Sequence, residues 1–430
     1  MVPRKVYRDV KLDPTTDSIR LARIIHSNHQ DGSDIRLKLE KFQLSSAPSF
    51  YALSYTWGAP NECKAIFVNG EKFLIRENLW YFLWQGRIPD QCQYLWIDAL
   101  CINQEDAVEK SHQVHLMGKI YSKALLVLVW LGVAADGSDF VMDIMESRGA
   151  CVDHSVQGHL QWYAEINYAG RDLAHFHPSC VATCTSIIKF FERQYWKRVW
   201  IVQELCLARD RRVLCGTKAV EFPCLQTLWG SSVSLCEDDF LSPVLRLVCQ
   251  IARTGKKPAF HLRELLIHTK PQQCGDKHDR VYALLGLLEN GTYDIPVDYE
   301  CTMNELYRQV LRSIFVFDKG SYRLPMKLEF LRKSLSIGEM DEAAKWETEA
   351  YQICCERLEL ADDFDTKLGR MHKAAWKASR ADGERFRSNF LEGVRKGGRE
   401  FCWAEETVVL EPYTVGYIHN HRWQKFLESQ

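Results

Sequence analysis

The chain of 430 residues lacks the glycine-rich loops that mark several large enzyme classes. It contains no Gly-x-x-x-x-Gly-Lys-Ser/Thr loop, no Gly-x-Gly-x-x-Gly fingerprint and no Gly-x-Ser-x-Gly elbow. Each of these loops places backbone against a phosphate or exposes a nucleophile. Their absence therefore argues against nucleotide-driven motors, Rossmann dehydrogenases and α/β-hydrolases.

A strong charge of either sign and a long apolar run are also missing. The formal net charge is -1, so the basic excess typical of nucleic-acid binding is not seen. No apolar run approaches the roughly 20 residues of a membrane span, and the first 13 residues have no apolar segment of a secretory signal. We expect a cytoplasmic protein with no nucleic-acid partner and no membrane span.

Cysteine, by contrast, is plentiful, with 16 residues scattered through apolar segments. In a reducing compartment such residues are expected to be buried thiols rather than disulfides. A zinc site could be formed by two histidines and two cysteines that lie close together, His175, His177, Cys180 and Cys184. Their spacing, however, lacks the usual paired-knuckle pattern. The alternative is chance clustering in a loop followed by a helix, and we expect no metal.

Several segments predict secondary structure directly. Residues 66–75 form two apolar runs around Asn69-Gly70, which is the pattern of a tight hairpin. Residues 94–98 and 125–131 are short apolar strands, and between them residues 113–124 show helical spacing. This arrangement predicts a β-α-β unit within a parallel sheet.

Three sequence blocks carry a family resemblance. Residues 51–58 read Tyr-Ala-Leu-Ser-Tyr-Thr-Trp-Gly, residues 96–106 read Trp-Ile-Asp-Ala-Leu-Cys-Ile-Asn-Gln-Glu-Asp, and residues 196–216 run from Trp196 to Gly216. Together they resemble the fungal heterokaryon-incompatibility (HET) domain, and residues 279–287 resemble its later block. The resemblance covers roughly the first three quarters of the chain.

The order of these blocks is similar to that of Toll/interleukin-1-receptor (TIR) domains as well. Trp200 and Glu204 match the Trp-x-x-x-Glu helix of that family. The resemblance implies an α/β fold with a TIR-like (flavodoxin-like), mainly parallel sheet flanked by helices. We divide the chain into four parts. These are a β lead-in (1–48) packed on the core, a HET domain (49–220) with an insertion at about 133–180, a helical extension (221–325) and a mainly α-helical C-terminal region (326–430).

Glu204 is the candidate catalytic residue, because enzymatic TIR domains use this glutamate to cleave the nicotinamide–ribose bond of NAD. NAD would be a substrate, and no cofactor is expected. The chemistry needs a group that stabilises a ribosyl cation, which one carboxylate supplies. If residues 196–204 form one helix, Trp196 and Trp200 lie on the same stripe as Glu204. The alternative is that Glu204 is a surface acid or the ion-pair partner of Arg198 or Arg209.

The remaining candidate residues follow predicted strands, where ligands bind in open α/β sheets. Asp98 has an alternative role in holding loop backbone donors. Glu105 and Glu109 are rival acids at the start of a helix, where carboxylates are ordinarily stabilised by the dipole. The predicted NAD-binding residues are Ser54, Tyr55, Trp57, Gly58, Asp98, Asn103, Gln104 and Trp200.

The resemblance implies a function in non-self recognition or programmed cell death in a fungus. In one hypothesis the domain depletes NAD enzymatically. In the other it is a non-catalytic interaction module that signals incompatibility through self-association. In both we expect self-association and contacts with other incompatibility proteins.

Overall fold

The described part of the chain is organised around one mixed β-sheet. The computed structural model describes residues 5–25, 35–85, 93–147, 178–232, 260–288 and 295–317, and the single residues Val244, Leu247, Val248 and Leu335. All of them belong to a compact unit spanning Met1–Trp376; a second unit, Lys377–Gln430, lies outside the described residues.

Nine strands form this sheet within the described residues, in the order β5-β4-β2-β1-β6-β3-β7-β8-β9. Their bounds are β1 Ser18–Ile25, β2 Arg36–Gln43, β3 Tyr51–Tyr55, β4 Cys63–Val68, β5 Glu71–Arg76, β6 Tyr94–Trp96, β7 Leu126–Trp130, β8 Arg211–Cys215 and β9 Lys218–Glu221.

The centre of the sheet is the parallel run β6-β3-β7-β8. Every residue of β3 and of β7 is buried, as expected for strands covered on both faces. Four of the eight strand pairings are antiparallel, however, so the sheet is mixed around a parallel centre; the other parallel pairing among the described strands is β2/β4. Two of the antiparallel pairings, β4/β5 and β8/β9, belong to hairpins, whose short turns force antiparallel pairing.

The N-terminal strands belong to this same sheet. β1 pairs with β2 on one side and with β6 on the other, so the lead-in is inserted between the β4/β5 hairpin and the parallel centre. Arg20 of β1 makes a buried two-point ion pair with Glu109, at 2.7 and 2.8 Å. Glu109 therefore has a structural partner.

The hairpin predicted at residues 66–75 is confirmed. Strands β4 and β5 pair from Cys63↔Arg76 to Val68↔Glu71. Asn69 and Gly70 at the turn have φ of 50° and 81°, the left-handed conformations that a two-residue turn of this type needs.

The described helices cover or extend the sheet. The long helix between β6 and β7 begins at Ala107, before the predicted start at residue 113. The Asp106 side chain caps this helix by accepting from the Glu109 N–H at 3.0 Å. The helices are α1 Glu77–Gln85, α2 Asp98–Cys101, α3 Ala107–Lys123, α4 Ser138–Ser147, α5 Pro178–Phe191, α6 Gln194–Lys197, α7 Trp200–Leu207, α8 Phe222–Ser232, α9 Leu262–His268, α10 Asp279–Leu285 and α11 Met303–Phe317.

The segment that carries Trp196, Trp200 and Glu204 is not one helix. The chain is extended at Arg198, with φ -73° and ψ 136°, and this separates α6 from α7. Arg198 instead forms a parallel β-bridge with Gln273, whose carbonyl accepts from the Val199 N–H at 2.9 Å. The predicted stripe of two indoles and one acid is therefore wrong.

Helix α10 packs beside α3 and α7. At the crossing of α3 and α10, a Cβ built on Gly286 would lie 3.0 Å from the Gly118 Cα. The backbones can approach this closely only because neither residue has a side chain. The central part of the predicted insertion (148–177) lies outside the described residues. So do the end of the predicted extension (318–325) and, apart from Leu335, the predicted C-terminal region (326–430).

Candidate functional site

Glu204 lies at the carboxyl ends of the central strands, buried with 1% of its surface exposed. Helix α7 is almost entirely apolar and packs against the core, and its one acid, Glu204, is therefore buried as well. Arg198 donates to both carboxylate oxygens, with Nη1–Oε2 at 3.3 Å and Nη2–Oε1 at 3.2 Å. The alternative of an ion pair with Arg198 is therefore confirmed.

Two hydroxyl groups extend this pair. Ser54 of β3 donates its hydroxyl hydrogen to the Glu204 Oε2. The Ser54 oxygen lies 2.6 Å from the Tyr195 hydroxyl, which must then be the donor because a serine has only one hydroxyl hydrogen. The result is a buried chain Tyr195→Ser54→Glu204, drawn from three separate segments of the sequence.

The charges at this site are closely coupled. Burial raises the pKa of Glu204, while Arg198 and Ser54 lower it. Burial lowers the pKa of Arg198, but the carboxylates of Glu204 and Asp98 outweigh that effect and raise it. Because a guanidinium contacts both carboxylate oxygens, the geometry favours the ionised pair.

Asp98 forms a second acidic centre beside this pair. Its Oδ2 accepts from the Trp57 Nε1–H at 2.7 Å, and its Oδ1 accepts from the Ala99 N–H at 2.7 Å. Burial raises its pKa, and its hydrogen bonds and the charge of Arg198 oppose that rise. Asp98 thus holds the end of β3 to the start of α2, and it is one of the two carboxylates whose charges act on Arg198.

Other predicted residues lie in the loop that follows α2. The Gln104 Nε2 donates to the Asp98 carbonyl at 3.1 Å. Asn103 is buried, and its N–H donates to Glu109 Oε1 at 2.6 Å. Glu109 is neutralised by Arg20, so it fixes this loop and is unsuited to catalysis.

The remaining two predicted residues, Trp200 and Gly58, interact with groups other than Glu204. Trp200 is half-buried, and its side chain acts on the carboxyl of Asp279 in α10, where it lowers the pKa that burial raises. Gly58 is exposed with a φ of 81°, and its carbonyl accepts from Arg76 Nη1 at 2.7 Å.

A cleft of about 220 Å³ opens beside this polar network. Four of the predicted binding residues line it: Tyr55, Trp57, Asn103 and Gln104. Ser54, Asp98 and Glu204 are not among its lining residues, so the acid lies behind the cleft wall rather than in the cleft. Sequence reasoning did not find Tyr195 or Arg76, because nothing in their local sequence links either of them to this place.

The zinc hypothesis falls largely on residues that the structure does not describe. His175 and His177 lie outside the described residues, and Cys184 is fully buried. Among the residues that the structure places, no group of three or more His, Cys, Asp and Glu could hold an ion. In the same part of the chain, no helix combines the length and apolarity needed to cross a membrane.

Comparison with known proteins finds a family match for part of the chain. Residues 50–204 match the family model described as Heterokaryon incompatibility protein (HET). The matched stretch runs from the residue before β3 to Glu204 and contains every predicted site residue.

A curated relative extends the similarity beyond this stretch. The chain is 28% identical over 409 residues to "Heterokaryon incompatibility protein 6, OR allele" of Neurospora crassa. The match covers 80% of this chain and 58% of that protein, so the chain spans little more than half the length of its relative. No solved structure matches the chain.

Proposed function

We propose that this chain acts in heterokaryon incompatibility, as an effector whose HET domain cleaves the nicotinamide–ribose bond of NAD. The first part of the proposal is supported by the family match and by the name of the Neurospora crassa relative. The second part depends on Glu204.

The arrangement of the parallel strands supports a TIR-like, flavodoxin-like core. Across the centre of the sheet the strands lie in the order β6-β3-β7-β8. Counted along the chain, these are the second, first, third and fourth strands of the centre. This is how the flavodoxin-like sheet begins, and its ligands bind outside the carboxyl ends of the strands where the order reverses. Ser54 and the Glu204 carboxylate lie at that edge.

The observation that carries the enzymatic proposal is that Glu204 already holds a cation in a buried site. Its partner is the guanidinium of Arg198, whose side chain is 18% exposed. During cleavage the bond between ribose C1 and the ring nitrogen breaks, its electron pair leaves with neutral nicotinamide, and a cationic ribosyl group remains until water attacks. If the Arg198 side chain rotated outward, the ribosyl cation would occupy the position beside Glu204 that the guanidinium now holds. The Glu204 carboxylate would then stabilise the positive charge of the ribosyl group.

A specific observation also favours the second candidate, the non-catalytic interaction module. Glu204 is 1% exposed and accepts from Arg198 and Ser54, so both of its oxygens are already occupied. Such an acid can serve purely to fix α7 against β3. In that case incompatibility would be signalled through self-association, and the acid would matter only for folding.

Nicotinamide release by the purified full chain separates the two candidates. The enzymatic proposal expects release from NAD that Glu204→Gln and Glu204→Ala both abolish. The matched control is Glu40→Gln, because Glu40 of β2 likewise accepts from an arginine and from a hydroxyl group, Arg23 at 3.1 Å and the Tyr94 hydroxyl at 2.9 Å, outside the site. Undiminished release in both Glu204 variants, or no release by the wild type in any assembly state, would refute the proposed cleavage.

The biological part is tested separately by expressing the chain in a filamentous fungus. The enzymatic candidate expects growth arrest that Glu204→Gln removes while the protein stays folded by circular dichroism. Arrest that persists in a folded Glu204→Gln variant would favour the interaction module. A chain that causes no arrest would count against the effector role itself.

A further inference from the structure

The cleft beside the polar network has a chemistry of its own. It lies between the end of β3, the end of the β4/β5 hairpin and the loop after α2. Its volume of about 220 Å³ is below the ~300–1,000 Å³ of common ligand pockets. It therefore has room for one ring system and an attached group rather than for a dinucleotide.

One wall of the cleft is a fixed aromatic plane. The Trp57 indole is half-buried, and its N–H is bonded to Asp98 at 2.7 Å. This bond holds the ring in one orientation before any ligand arrives. A preorganised aromatic face binds a planar ring with little loss of conformational entropy.

A second feature is an arginine without an acidic partner. Arg76 is half-buried at the end of β5, and its guanidinium carbon lies 5.1 Å from the centre of the Trp57 ring. Among the described residues its one hydrogen bond goes to the Gly58 carbonyl at 2.7 Å, and no carboxylate pairs with it. Its charge and its remaining N–H groups are thus available in the cleft, in the fork that suits a phosphate or a carboxylate.

Gln104 adds an acceptor. Its Nε2 is committed to the Asp98 carbonyl at 3.1 Å, and no described group donates to its Oε1. Glu105, the one acid among the lining residues, is exposed. Its charge favours placing an anionic group on the Arg76 side of the cleft.

We propose that this cleft binds a small planar aromatic molecule that carries an anionic group, with the ring on Trp57 and the anion on Arg76. The anion is either the phosphate of a nucleotide or the carboxylate of an aromatic acid. The inference goes beyond NAD cleavage, because it holds whether or not Glu204 is catalytic.

Isothermal titration of the full chain with two matched pairs of probes tests the inference. AMP is compared with adenosine, and benzoate with benzamide, so that each pair differs in charge. The variants are Arg76→Gln, Arg76→Lys and Trp57→Leu. The matched control is Arg36→Gln. Like Arg76, Arg36 has its guanidinium near an aromatic ring, 4.7 Å from the ring of Phe67 in β4, but it does not line the cleft.

We expect at least one anion to bind about tenfold or more tightly than its neutral partner, the usual strength of a hydrogen bond to a charged group. Arg76→Gln should remove that preference, Arg76→Lys should keep part of it, and Trp57→Leu should weaken both members of the pair. Arg36→Gln should bind like the wild type.

The result also identifies the anion, since AMP alone indicates a nucleotide and benzoate alone an aromatic acid. The inference is overturned if neither anion binds better than its neutral partner, or if folded Arg76→Gln retains the preference. No turnover is measured, so this result is independent of nicotinamide release.

Discussion

The ion pair between Arg198 and Glu204 gives the sharpest test of the site, through the substitution Arg198→Met. Methionine keeps much of the volume of the side chain but leaves a carboxylate with 1% exposure and no cation. Removing one partner of a buried pair costs about 3–5 kcal/mol, because the remaining charge is uncompensated. Ser54 still donates to the acid, which places the expected loss of unfolding free energy near the lower figure, about 3 kcal/mol.

The loss should depend on pH. Burial raises the folded-state pKa of Glu204 above its ordinary value of 4.5. A carboxyl group with a raised pKa stabilises the folded state fully at pH values below 4.5, and this stabilisation is lost as the pH rises through the folded-state pKa. Without Arg198 that pKa rises further. Arg198→Met should therefore be close to the wild type at pH 4, where the acid is protonated in both states, and clearly less stable at pH 8.

Urea unfolding at pH 4 and pH 8 measures this, with the double variant Arg198→Met/Glu204→Gln completing the cycle. The double variant should recover part of the stability at pH 8 and lose the pH dependence. Arg23→Met is the control, because the Arg23 side chain is 38% exposed in its pair with Glu40, and about 1 kcal/mol or less is expected. Equal losses for Arg198→Met at both pH values, or a double variant less stable than either single variant, would refute the reasoning.

Three further predictions concern other parts of the fold. Glu109→Gln should lower the unfolding free energy by about 3 kcal/mol in urea titrations, because it leaves the buried Arg20 guanidinium without its counter-ion; a loss below about 1 kcal/mol would contradict this. Gly286→Ala should cost about 1–3 kcal/mol in the same assay, since its Cβ would lie 2.4 Å from the Gln203 Oε1 and 3.0 Å from the Gly118 Cα, whereas Gly275→Ala, with open space around it, should be neutral. Burial raises the pKa of the Cys101 and Cys206 thiols to about 12, so at pH 8 iodoacetamide should modify exposed Cys63 and leave these two intact, as peptide mass spectrometry would show.

Local patterns predicted the fold well where the signal is contained in a few neighbouring residues. The Asn69-Gly70 turn is one case. The parallel centre could also be predicted, because β6 and β7 are short apolar runs separated by a segment with helical spacing.

The site was only partly predictable, because its decisive contacts join distant segments. Glu204 was identified through a helix motif, but the chain leaves the helix at Arg198, which pairs with Gln273 more than 70 residues further on. Helical periodicity cannot reveal such a break, since the residues on both sides still have helical spacing. The Tyr195 contact with Ser54 likewise spans 141 residues.

The same break bears on how the site could open. The Val199 N–H bonds to the Gln273 carbonyl at 2.9 Å, and the Gln273 N–H donates to the Lys197 carbonyl, so the backbone is held on both sides of Arg198. Gln273 lies beyond residues 50–204, the part that matches the HET family. The position of the guanidinium over Glu204 therefore depends on a segment outside the matched domain. If Glu204 is to meet a substrate, the Arg198 side chain must rotate away while its backbone stays in place, or the bridge to Gln273 must part.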